Sequence, residues 1–138
     1  MIVKDLTFPN GIGFSPDEKT LYVAVSDAKA PRVMAYPVKD DGTVGEGRVF
    51  FDAALLRDKN LKGSCDGLKV DEKGNLFATG PGGVLIISPE GKHLGSVLTN
   101  QATGNCTFGG ADNSDLYITA DMFLVRVKTK TRGHMPKP

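Results

Sequence analysis

Asn10 and Asp66 are the two side chains of this sequence best placed to do chemistry together. Each stands immediately before a glycine, Gly11 and Gly67, and each opens a copy of a repeated phrase. If the copies fold alike, both side chains begin an inner strand and point to one mouth of a shared channel. Two converging oxygen donors suit a hard divalent cation, because Ca²⁺ and Mg²⁺ take carboxylate and carbonyl oxygens. A cation held there would polarise a carbonyl and acidify water. Asn-Gly and Asp-Gly are also common turn pairs, and a turn needs no ligand. Spacing alone leaves both readings open. Asn105, in the third copy of the phrase, is a further candidate for lining the channel.

The remaining polar groups suggest less. Asp17, Asp40, Asp41, Asp71 and Glu90 fall in hairpin turns and read as solvated turn formers. His93 reads as a turn residue, and His134 belongs to a basic tail (Arg126 to Lys137) that reads as solvated. No recognisable motif sets a nucleophile or carboxylate beside either histidine, so a Ser-His-Asp mechanism is unsupported. The strings Gly80-Pro81-Gly82-Gly83 and Gly109-Gly110 lack GxGxxG spacing and a following helix. They read as backbone bends near the channel. Cys65 and Cys106 are too few for a disulfide framework and lack zinc-ligand spacing. Two small buried apolar residues is the preferred reading over a bridge.

The elements that must position Asn10 and Asp66 come from the repeat itself. It runs Pro9–Val25, Cys65–Gly80 and Gly104–Ala120, with Leu21-Tyr22, Leu76-Phe77 and Leu116-Tyr117 as equivalent places. The first unit predicts strands at Ile12–Phe14, Leu21–Val25, Arg32–Val38 and Gly47–Phe51. The second predicts Leu68–Val70, Leu76–Thr79, Val84–Ile87 and Leu94–Leu98. The third predicts Cys106–Phe108, Leu116–Thr119 and Leu124–Val127, with no fourth strand. Only Asp52–Leu61 has room for a helical turn or two, ended by Gly63. Four-stranded units repeating at this spacing are propeller blades. The expectation is one all-β domain over 1–138, with blades at about 6–51, 64–99 and 104–130 and the tail at 131–138. A β-sandwich needs no repeated phrase and is the weaker alternative. Three blades form an open arc, whereas propellers close with typically four to eight.

Bulk properties exclude several classes. A net charge of +1 gives no electrostatic reason to expect nucleic acid or a membrane surface. No apolar run approaches the ~20 residues of a membrane span. The first residues do not form a signal peptide, which leaves the compartment open between cytoplasm and periplasm.

At these residues the chain resembles the senescence marker protein (regucalcin)/gluconolactonase family of six-bladed propellers, matching its second half. The resemblance is carried by PNGIGFSPDEKTLYVAVSD, by SCDGLKVDEKGNLFATGPGGVLIISPEGKHLGSV and by GNCTFGGADNSDLYITA, in the family's order from about Leu6 to Lys130. It implies hydrolysis of a sugar lactone or similar ester by metal-activated water at the channel mouth. The metal would be Ca²⁺ first, with Zn²⁺, Mn²⁺ or Mg²⁺ as alternatives. It implies Asn10 and Asp66 as metal ligands, and Asp66 also as general base. The family's first-blade Glu ligand has no counterpart here, nor do the substrate-binding residues of its early blades. A hard cation wants 6–8 oxygens and usually more than one carboxylate, so the chain alone should bind metal poorly and catalyse little.

Three arrangements follow. Two copies could close one ring as a homodimer. The chain could instead be the C-terminal part of a lactonase whose N-terminal half lies elsewhere. Or it could be a catalytically inactive sector serving as a binding or structural module.

Overall fold

The computed structural model describes residues 1–56 and 61–135. Among them are eleven strands in three antiparallel sheets that follow one another along an arc. The first sheet is β1 (Pro9–Phe14), β2 (Thr20–Val25), β3 (Arg32–Pro37) and β4 (Arg48–Asp52). The second is β5 (Leu68–Val70), β6 (Leu76–Gly80), β7 (Gly83–Ile87) and β8 (His93–Leu98). The third is β9 (Thr103–Gly109), β10 (Asp115–Ala120) and β11 (Phe123–Lys128). Strand order is sequential in every sheet, and β1, β5 and β9 are neighbours on the inner side. These are three blades of a β-propeller, and the third has no fourth strand among the described residues. The helical expectation survives as a single 3-10 turn, Ala53–Leu56. Residues 57–60 of that stretch lie outside the described residues, as do 136–138.

Burial alternates as the two-residue period of a strand demands. In the middle blade, Leu76 and Ala78 face the first blade and join Tyr22, Ala24, Val33, Ala35 and Phe51. Phe77 and Val84 face the third blade and join Cys106, Leu116 and Ile118. With a neighbour on both sides, β6 is buried at every position. In the third blade, Leu116, Ile118 and Ala120 are buried while the intervening residues of β10 are not. The first blade buries its outer face differently. Val3 and Leu6 of the N-terminal segment lie against Leu21, Val23 and Tyr36.

Gly11 and Gly67 turn out to serve a close approach of strands. Gly11 lies within β1, and neither glycine has a positive φ. Its N–H donates to the Asp66 carbonyl at 2.9 Å, and the Gly67 N–H donates to the Gly104 carbonyl at 2.9 Å. A Cβ on Gly11 would overlap that carbonyl oxygen and stand 2.9 Å from the Leu68 nitrogen. The turn reading of Asn10-Gly11 and Asp66-Gly67 is therefore set aside. The glycines let inner strands of adjacent blades touch at one end of the channel.

At the opposite end of β5 two expectations are corrected. Asp71 is not solvated but fully buried. Its carboxylate accepts from the backbone N–H groups of Lys73 and Asn75, from Asn75 Nδ2 at 2.8 Å and from Thr131 Oγ1 at 2.9 Å. A turn former becomes a hub because the chain returns over it. Arg126 to Lys128 belong to β11, and the segment after it docks rather than floats. Gly133 bridges to Asp71, and the His134 N–H donates to the Val70 carbonyl at 2.9 Å. His93 likewise begins β8 rather than sitting in a turn, with its ring 5.9 Å from that of Phe51. Losing the Asp71 carboxylate leaves four partly buried hydrogen bonds without their acceptor at once. Asp71→Ala is accordingly expected to cost about 2 kcal/mol or more of unfolding free energy. Urea titration of the variant against the parent measures it.

The other hairpin acids remain exposed, and two of them are tied to a neighbouring serine. Ser15 Oγ donates to Asp17 and Ser88 Oγ donates to Glu90. These bonds hold both carboxyls below their ordinary range. Cys65 and Cys106 are buried, unbridged thiols, pushed up by burial to about 12 and about 11. They are core residues and poor nucleophiles. No helix of the described residues is long and apolar enough to cross a membrane.

Candidate functional site

The structure brings Asn10 and Asp66 to one cleft of about 430 Å³ at the Gly11 end of the inner strands. Ser26, Ser64, Thr119 and Asp121 share its walls. The lining side chains are rich in oxygen and include no Lys, Arg or His, so the cleft favours a cation or a polyhydroxylated molecule over an anion.

Each candidate is set in place by its own blade and the next. Asn10 sits on β1, where its Nδ2 donates to Ser26 Oγ at 3.3 Å. Ser26, just past β2, donates its own proton to the Cys65 carbonyl. Asp66 precedes β5, and its backbone N–H donates to Thr79 Oγ1 of β6 at 3.1 Å. Thr79 is fully buried and the bond itself is partly buried. Asn105 opens the same bond in the third blade. Its N–H donates to Thr119 Oγ1 at 3.0 Å. Asn105 is exposed on β9, but it is not among the residues lining the cleft of Asn10 and Asp66. Its Oδ1 accepts from the next backbone N–H, that of Cys106, at 2.9 Å.

Thr79 and Thr119 are supporting positions that the repeat could have revealed. Thr79 and Thr119 occupy the same place, three residues after Leu76 and Leu116. The first blade has Ala24 there, and Ser26 takes over a different task.

The Asp66 carboxyl is electrostatically unusual. Partial burial raises it above the ordinary carboxylate value, and no cation among the described residues pulls it back. No described donor reaches its side-chain oxygens. The carboxyl therefore enters the cleft with its charge uncompensated and its lone pairs free. Gly104 faces it: a Cβ there would stand 3.9 Å from Asp66 Oδ2.

Oxygen-only donors and an uncompensated carboxylate fit a hard divalent cation as part of a ligand set. The set is partial. Among the described residues no three His, Cys, Asp or Glu side chains gather into a metal-holding group.

The sequence model of the SMP-30/gluconolactonase/LRE-like region matches residues 1–121. The chain belongs to this family. It is 39% identical over 142 residues to a gluconolactonase of Zymomonas mobilis, an alignment taking in 96% of this chain and 38% of that protein. It is 32% identical over 115 residues to a regucalcin of Xenopus laevis, covering 80% of this chain and 36% of the relative. The solved gluconolactonase of Xanthomonas campestris superposes with a TM-score of 0.71 at 34% identity, over 86% of this chain and 36% of that one. The chain thus spans less than two-fifths of the length of these relatives. As a sector of the SMP-30/gluconolactonase fold, it brings Asn10 and Asp66 into one cleft at the Gly11 end of its inner strands.

Proposed function

We propose that this chain supplies three blades of a divalent-cation-dependent lactonase, acting on a sugar lactone such as gluconolactone or on a similar ester. The observation that carries the reading is the meeting of Asn10 with an uncompensated Asp66 in one cleft between inner strands. Family membership and relatives named gluconolactonase, at 39% and 34% identity, support it.

Asn10 and Asp66 would hold the cation, Ca²⁺ in the first instance. When bound it would polarise the lactone carbonyl and make water easier to deprotonate. The chain's own work is to place and move a proton. Asp66 takes a proton from the attacking water as its oxygen bonds the acyl carbon. The ring C–O bond then breaks, and the proton passes to the departing ring oxygen, leaving an open-chain hydroxy acid.

A complete ring is part of the proposal. Two donors with one charge fall short of the 6–8 oxygens that Ca²⁺ takes. Both flanks of the sector carry exposed large apolar side chains. Ile12, Phe14 and Val49 are exposed on the first blade, and Met122, Phe123 and Leu124 at the third. Such surfaces mark places that a partner covers. A second copy or an N-terminal half would cover them and add ligands. Native mass measurement with and without Ca²⁺, paired with a gluconolactone hydrolysis assay, tests this. The reading expects hydrolysis and bound cation only in a species larger than one chain. A monomer that hydrolyses the lactone without divalent cation would overturn it.

A further inference from the structure

Ser26 was not among the residues singled out from sequence, yet its hydroxyl stands between the two candidate ligands. It has one proton and two lone pairs. The proton is committed, because Cys65 O is a carbonyl and can only accept, and Ser26 Oγ is bonded to it. What remains on Ser26 Oγ toward Asn10 is a lone pair. Presenting Asn10 Oδ1 to it would set two acceptors against each other with no proton between them. The amide must therefore turn its Nδ2 to Ser26, as the 3.3 Å contact has it. Oδ1 is left at the other corner of the planar amide, free to accept or to coordinate.

The same hydroxyl ties the blades together. Cys65 is the residue before Asp66, so the Ser26–Cys65 bond fastens the end of β2 directly beside the Asp66 backbone. Ser26 is itself anchored through its N–H, which donates to the Phe8 carbonyl at 3.0 Å. On the other side Thr79 holds the Asp66 N–H.

We propose that Ser26 is a positioning residue: it fixes the flip of the Asn10 amide so that Oδ1 is the atom offered to the cleft, and it sets the spacing of Asn10 from Asp66. The cation part of this inference rests on the lactonase reading above, whereas the amide orientation does not. Partners that orient ligands from behind are worth about 10- to 100-fold in metal affinity elsewhere.

The test uses the full chain in whichever assembly it forms, with two readouts. The first is the ¹⁵N–¹H spectrum of the Asn10 side-chain amide, assigned by its loss in Asn10→Ala. The second is Ca²⁺ affinity by calorimetry. Ser26→Ala is expected to shift the Asn10 amide signals and speed their exchange with water, and to weaken Ca²⁺ about tenfold. Ser26→Thr keeps the hydroxyl and should restore both. Ser26→Cys is near-isosteric but a poor acceptor. It should behave like the alanine variant, and it serves if that one fails to fold. Unchanged Asn10 amide signals in Ser26→Ala or Ser26→Cys would overturn the orientation. Ca²⁺ affinity lost in Asn10→Ala but kept in Ser26→Ala would overturn the positioning role. Affinity kept in both Asn10→Ala and Asp66→Asn would instead sink the cation reading, and leave the amide orientation to the spectrum.

Discussion

Asp66→Asn is expected to lower lactone hydrolysis about 10³-fold, in whichever assembly hydrolyses it, without unfolding the protein. The substitution keeps the shape of the side chain and removes both the charge and the proton acceptor. If Asp66 were a structural residue, the change would cost stability. The opposite is expected, and its sign follows from linkage. Burial raises the folded-state proton affinity of Asp66 above that of the unfolded chain. Its ionised form is thus disfavoured by folding. The penalty is absent below the unfolded carboxylate value, grows as pH rises through the folded one, and is fully present at neutral pH. Asp66→Asn should therefore match the parent in thermal unfolding near pH 3 and unfold at a higher temperature at pH 7. The gain is small, because the carboxyl is largely solvated. Activity within tenfold of the parent would remove Asp66 from the chemistry. A lower unfolding temperature at pH 7 would show that it is a structural residue instead.

Gly11→Ala should cost about 3 kcal/mol of unfolding free energy, the upper end of what a methyl inserted into a packed contact does. The added carbon meets backbone, not a side chain that can swing away. It overlaps the Asp66 carbonyl oxygen and stands 2.9 Å from the Leu68 nitrogen and 3.0 Å from the Gly67 carbonyl carbon. Relief requires β1 and β5 to separate, which stretches the Gly11 to Asp66 bond and widens the cleft. Gly104→Ala is the control at the same mouth. Its Cβ would meet Thr119 Oγ1 at 3.7 Å and Asp66 Oδ2 at 3.9 Å, ordinary contacts. Losing glycine's freedom in the unfolded chain should leave this variant neutral or stabilised by about 0.5 kcal/mol. Urea midpoints of the two variants decide it. Equal midpoints would mean that adjacent inner strands are not held in contact at Gly11.

The strands were legible in the sequence because a two-residue alternation needs no knowledge of neighbours. Leu76 and Phe77 read as a strand, and they bury against opposite blades. Turn residues and the threefold phrase then set blade order and, among the described residues, the three strands of the last blade. What Asp71, Gly11 and the basic tail do was not legible. Asp71-Glu72-Lys73-Gly74-Asn75 has the composition of an exposed hairpin. Asp71 is also met by Thr131 and Gly133, some sixty residues on, which bond and bridge to it. Gly11 resembles half of a turn pair until Asp66 O is seen against it.

For the site, the sequence by itself determined the candidates: Asn10 and Asp66, one step before glycine at the head of equivalent strands. Repeat position suffices to bring the two to one end, since equivalent strands of stacked blades begin at the same end, and the family resemblance adds the ligand role as an expectation. Only the tertiary structure decided how those side chains are held. Thr79 grips the Asp66 backbone, Ser26 turns the Asn10 amide, and no described donor or cation offsets the Asp66 charge. Hydrogen bonds between blades and the loss of water around a carboxyl depend on distances that exist only once the blades are stacked. For that reason the sequence, which names the participants, is silent on their orientation and charge.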